Sequence, residues 1–255
     1  MIITQTILFL FFCYLTILSI SGLGTLLSPT DKKKNVLENF FYGFLVIALT
    51  VTVVHFFYKI EQLIVFLIFA AGLFASIKNY KLSLKKINYD FYLYILVLII
   101  LIPIYLSQKY HEDFGYYHLP YIINFISEKI IFGLANTNSA FAHNSIWLNI
   151  LPTFYIKENY DFVLMPTFLI YFFFIIYSIN LIVNEKIKTI SSFFLIVCLF
   201  YILLKFTRIS EYGNDIPALI FTILAIFNFF KFQEERNLKK RHSYFFCNFS
   251  FTVFA

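Results

Sequence analysis

The chain has 255 residues, of which 60% are hydrophobic and 13% charged, with a formal net charge of +6. Soluble domains carry about 25% charged residues, so this composition and a mean hydropathy of +0.79 exclude a water-soluble globular protein. They predict an all-α, polytopic helical membrane protein whose basic surplus sits in loops, which argues against a nucleic-acid partner.

In chain order, seven apolar stretches read as spans, at about 3–27, 40–57, 63–77, 91–106, 163–183, 189–204 and 216–230. The first lacks a basic n-region and a small-residue cleavage site, so it reads as a span rather than a signal peptide. The loops with Lys32–Lys34, Lys78–Lys86, Lys186–Lys188 and Lys231–Arg241 hold fourteen basic residues, and the alternate loops hold six. The positive-inside rule then places the first group in the cytoplasm and the N-terminus outside. The expected location is a bacterial inner membrane. Cys13, Cys198 and Cys247 are far apart in apolar runs and read as lipid- or core-facing residues rather than a disulfide or metal framework.

Residues 107–162 form a predicted outer loop, too long for a plain connector. Two interfacial helices are expected inside it. One opens at Pro120, with an apolar stripe of Tyr121, Ile122, Phe125, Ile126 and Ile130, and stops at Gly133. The other is capped by Asn138 or Ser139 and carries Phe141, Ile146, Trp147 and Ile150, with Pro152 near its end. The predicted organisation is a three-span region over 1–88, a core over 89–233 and a basic segment over 234–255. That last segment closes on Tyr244 to Ala255, which reads either as the start of an eighth span cut short or as a frame-shifted tail.

The polar stretch 108–120 concentrates two adjacent carboxylates, two histidines and three tyrosines. A carboxylate at a membrane surface, partly shielded from water, can take up a proton or hold a divalent cation, which makes Glu112 and Asp113 the candidate catalytic acids. Both also fit solvated loop residues. Tyr116 and Tyr117 follow three and four positions after Asp113, on the same face if the segment is helical. A second acidic loop, with Arg208, Glu211 and Asp215, falls on the same predicted outer side, and the two loops could cradle a substrate or cation between helices. Asp215 equally fits a cap for the last span, with Pro217 in its first turn. His118 and His143 are candidates for phosphate binding or proton shuttling, at a spacing that matches no metal motif. Lys109, Lys129 and Arg208 can pair with an anionic head group, a role that snorkelling explains as well for the lysines. His55 reads as an interfacial or helix-packing residue. No phosphate-binding loop, dinucleotide-binding glycine pattern or serine elbow is present.

The run Asp113 to Leu119, a pattern like Asp-x-x-x-Tyr-His-Leu, is followed by Gly133-Leu-Ala-Asn136 and by Asn144-Ser-Ile-Trp147. With the late Tyr212-Gly-Asn-Asp-Ile-Pro217, these motifs resemble membrane glycosyltransferases of the GT-C superfamily, and more closely a poorly characterised bacterial branch of it. The likeness covers about residues 90–230. It implies transfer of a sugar from a polyprenyl-phosphate carrier to a glycan, lipid or protein acceptor on the outer face. It also implies that Asp113 acts as general base or orients the acceptor, with Asp215 as a supporting acid. Tyr117, His118 and Arg208 would then meet the carrier phosphate or the sugar. Three spans precede the helix leading into the acidic loop, where better-known members have one span before the loop. The alternatives from sequence are an envelope polysaccharide polymerase, ligase or carrier, and a non-catalytic membrane protein.

Overall fold

Long apolar runs leave the backbone no water to bond with, so each must satisfy its own amides as a helix. The computed structural model describes residues 2–28, 36–79, 89–107, 113–137, 139–142, 145–156, 160–185, 189–210 and 212–234, and these are all-helical with no strand. The long helices are α1 (Ile2–Gly24), α2 (Val36–Phe57), α3 (Gln62–Asn79), α4 (Tyr89–Leu106), α7 (Met165–Glu185), α8 (Ile190–Leu204) and α9 (Asp215–Glu234). Two short ones, α5 (Leu119–Ser127) and α6 (Ile146–Ile150), lie between α4 and α7. Each predicted span coincides with one long helix. Among the described residues, four segments, Val36–Phe57, Gln62–Asn79, Phe162–Val183 and Asp215–Glu234, are long and apolar enough to cross a membrane, and three shorter apolar helices accompany them. This is a helical membrane protein.

The chain forms two compact units, one of Met1–Lys85 with Tyr116–Met165 and the other of Lys86–Gly115 with Pro166–Ala255. In the first unit, α1 packs against both α2 and α3. Hydrocarbon-facing helices gain nothing from exchanging lipid for protein unless their backbones come close, which small residues permit. A Cβ on Gly22 would meet the Gly72 carbonyl and Ser76, one on Gly43 the Ile20 carbonyl, and one on Gly72 the Ser19 carbonyl. Side chains tie the same seam: Ser19 Oγ donates to the Phe69 carbonyl at 3.0 Å, Ser76 Oγ to the Leu18 carbonyl, and Asn79 Nδ2 to Thr25 Oγ1 at 2.9 Å. Aromatic rings seat the loop elements on these helices, Trp147 against Phe44 at 5.5 Å and Phe154 against Phe69 at 5.6 Å.

In the second unit, Tyr105 and Tyr94 of α4 contact Phe168 and Phe172 of α7, with centroids at 5.1 and 5.9 Å. The Tyr171 hydroxyl donates to the Ile202 carbonyl of α8 at 2.6 Å. Thr189 caps α8 through its side chain, which accepts from the Ser192 amide. Glu234, at the end of α9, accepts from the Ser191 amide at 2.9 Å and from its hydroxyl at 2.6 Å, so a carboxylate sits at the positive end of α8. Cys13 and Cys198 are free thiols. Cys247 and the expected eighth span lie outside the described residues.

The loop helices differ from expectation at their ends. α5 opens with Pro in its first two positions, but it stops at Ser127 rather than near Gly133. The amide of Glu128 already closes the last turn onto Asn124, and the extended backbone of Glu128 ends the helix. Gly133 instead takes φ +80° and starts a separate 3-10 turn, Leu134–Asn136. The second helix is broken as well. Ser139–Ala142 is a 3-10 turn, α6 covers only Ile146–Ile150 after Ser145, and Pro152 begins another 3-10 turn, Leu151–Phe154. A five-residue helix without a side-chain cap is held by burial of Trp147, Leu148 and Ile150 rather than by its own propensity.

Candidate functional site

Of the sequence-predicted acids, Asp113 and Asp215 are described and belong to the second unit. Asp113 begins a helical segment that continues as a π-helical turn, Phe114–His118, into α5. Phe114 is buried, and its ring lies 3.8 Å from that of Tyr212, also buried, at an interplanar angle of 30°. The turn Phe206–Ser210 packs on α4. Arg208 reaches Asp215 at 4.0 Å, with both side chains largely exposed. Asp215 is the first residue of α9, inside the first turn rather than at the cap position, which Asn214 takes by accepting from the Ala218 amide, and the helix dipole favours a carboxylate there. Asp113 is half-buried. Within this unit the ring contact of Phe114, next to Asp113 in the chain, with Tyr212 joins the segment of Asp113 to the loop that precedes α9, and Arg208 and Asp215 form an exposed pair.

The first unit holds a cavity of about 540 Å³, built from the end of α2, from α5 and from the turns up to α6. Thr52, His55 and Phe56 form one wall, Tyr121, Asn124 and Phe125 a second, and Lys129 to Ala135 a third. Tyr121 donates to Asn149 Oδ1 at 3.1 Å, and Asn149 Nδ2 donates to Thr52 Oγ1 at 3.1 Å, linking α5, α6 and α2 in one chain. Burial pushes the Tyr121 phenol up to about 12, so it remains a donor at every physiological pH. His55 stacks on Phe125 with centroids 3.6 Å apart and donates through Nε2 to the Glu128 carbonyl at 3.2 Å. Backbone bonds from Ile130 to the His55 carbonyl and from Ile60 to the Phe125 carbonyl, 3.0 and 2.9 Å, clamp the loop to the helix end.

Over residues 2–255 the chain matches the model of a family described as a domain of unknown function, DUF8201. The chain belongs to that family. No curated protein and no solved structure matches it.

Among the predicted site residues of this DUF8201 member, Asp113, Arg208 and Asp215 share the second unit. Tyr116, Tyr117 and His118 fall in the first, where Tyr116 is exposed, His118 is buried, and the rings of Tyr117 and His118 are 4.1 Å apart. Glu112, Glu211 and His143 lie outside the described residues. Among the described residues, no three His, Cys, Asp or Glu side chains converge as a cation site. From sequence His55 reads as an interfacial or helix-packing residue, and Thr52, Asn124 and Asn149 are not among the predicted site residues. A signal for the first two exists: Thr52 and His55 are polar residues three apart, on one face of an otherwise apolar span. Asn149 becomes visible only when α6 is folded against α2.

Proposed function

We propose that this DUF8201 member is a membrane glycosyltransferase that moves a sugar from a polyprenyl-phosphate carrier to an acceptor at the outer face of a seven-span bundle. The observation that carries the reading is the Phe114–Tyr212 stack, which brings the segment of Asp113 together with the loop of Arg208 and Asp215. On this reading Asp113 accepts the proton of an acceptor hydroxyl, whose oxygen bonds to the anomeric carbon. The bond from that carbon to the phosphate oxygen breaks, and the carrier phosphate leaves with the electron pair. Arg208 supplies positive charge for the leaving phosphate, and Asp215 holds Arg208 toward it. The half-buried position of Asp113 supports a base role, since partial exclusion of water strengthens its interactions with an acceptor.

The outer placement rests on the distribution of lysines and arginines, and α5 and α6 are proposed as interfacial helices. The test supplies membranes containing the full chain with labelled polyprenyl-phosphate sugars and compares wild type with Asp113→Asn. Loss of transfer by about a hundredfold or more is expected of a general base. Equal transfer by both would remove Asp113 from the chemistry. Absence of transfer by wild type would shift the reading to a polysaccharide polymerase, ligase or carrier.

A further inference from the structure

We infer that the cavity at the end of α2 is a binding site for an anionic amphiphile, a lipid with a negatively charged head group and an apolar chain. Among the described residues, its lining contains one ammonium group, Lys129, and no carboxylate. Lys129 is exposed and makes no ion pair among the described residues. The buried Ser145 hydroxyl has no hydrogen-bond partner among the described residues, and the Asn124 side chain makes no bond there either. A cation and two uncommitted donors therefore line one cavity, a chemistry that suits head-group oxygens.

The rest of the wall fits a chain. Phe56, Ile131 and Phe132 line the same cavity and are 48%, 45% and 82% exposed, forming an apolar lip. Thr52, His55 and Phe56 belong to the last turns of a helix long enough to cross a membrane, so the lip lies at the depth where head groups meet acyl chains. A free anion would leave the lip in contact with water, and an uncharged lipid would leave Lys129 without a counter-charge. A volume near 540 Å³ falls within the range of about 300–1,000 Å³ for small-molecule sites. The cavity lies in the first unit, and its own lining, not the transfer chemistry proposed for Asp113, carries this assignment.

Trp147 is the one tryptophan in the chain and directly follows the lining residue Ile146, so its fluorescence reports on the site. Purified full-length protein is titrated in mixed micelles with brominated phosphatidylglycerol or with phosphatidylcholine carrying the same brominated chains. Half-maximal quenching is expected at about a fivefold lower fraction of the anionic lipid. Lys129→Gln should abolish that difference. Ala142→Phe, at an exposed lining position, should abolish it too, with Lys129 still in place. Equal quenching by the two lipids in wild type would overturn the proposal. So would a preference that survives Ala142→Phe, which would make Lys129 an ordinary surface charge. Displacement of the brominated anionic lipid by inorganic phosphate as effectively as by unlabelled phosphatidylglycerol would overturn the amphiphile in favour of a free anion.

Discussion

Phe114 and Tyr212 stack at 3.8 Å although 98 positions separate them in the chain, and both rings are buried. That contact joins the two acidic segments of the second unit. Aromatic pairs contribute about 0.5–1.5 kcal/mol beyond the area they bury. A double-mutant cycle with Phe114→Leu and Tyr212→Leu, read by thermal unfolding in detergent, should give a coupling energy in that range. Strict additivity would mean that the stack does not join the loops energetically.

Arg208 and Asp215 are an exposed pair at 4.0 Å, and such pairs contribute about 0–1 kcal/mol. Arg208→Ala should therefore leave the unfolding midpoint within a few degrees of wild type. If Arg208 meets the carrier phosphate, the same variant raises KM for the lipid-linked donor at least tenfold. An unchanged KM would assign Arg208 to the surface alone.

The glycines divide by what surrounds them. Gly22→Ala and Gly72→Ala each press a methyl group into a neighbouring helix backbone and should cost about 1–3 kcal/mol. Gly115→Ala and Gly213→Ala meet nothing within 4 Å and should stay within about 0.5 kcal/mol. Chemical denaturation in mixed micelles separates the two groups; equal effects across all four would contradict close approach of α1 and α3.

Tyr121 ties the cavity wall to Asn149, and Tyr121→Phe should cost about 1 kcal/mol through the lost hydrogen bond. Its pH dependence has a definite sign. Burial raises the folded phenol to about 12 from an ordinary value of 10.0, so between those values the folded chain holds a proton that the unfolded chain has lost. Stability supplied by this group is complete below pH 10 and falls as pH rises toward 12. Unfolding followed across that window should show a shallower decline in Tyr121→Phe than in wild type. Parallel declines would place the phenol in water.

Much of this architecture is local, and the sequence by itself determined it. Apolar runs such as 40–57 and 216–230 must fold as helices because lipid offers no partner for an open backbone amide, and their lengths follow from that need. Composition likewise made Glu112, Asp113, Arg208 and Asp215 stand out, because charge is rare in this chain. Tertiary structure decided the rest. That Phe114 meets Tyr212, that Gly22 lies against Gly72, and that Asn149 bridges Tyr121 and Thr52 are contacts between residues 28 to 98 positions apart. Packing decided the ends of α5 and α6 in part: buried Phe125 and Trp147 set them against α2, and Gly133, a local stop signal, served a turn beyond α5, whereas Pro152 does lie in the turn that directly follows α6. Helix existence depends on neighbours along the chain. A site depends on which helix ends meet, and only packing fixes that.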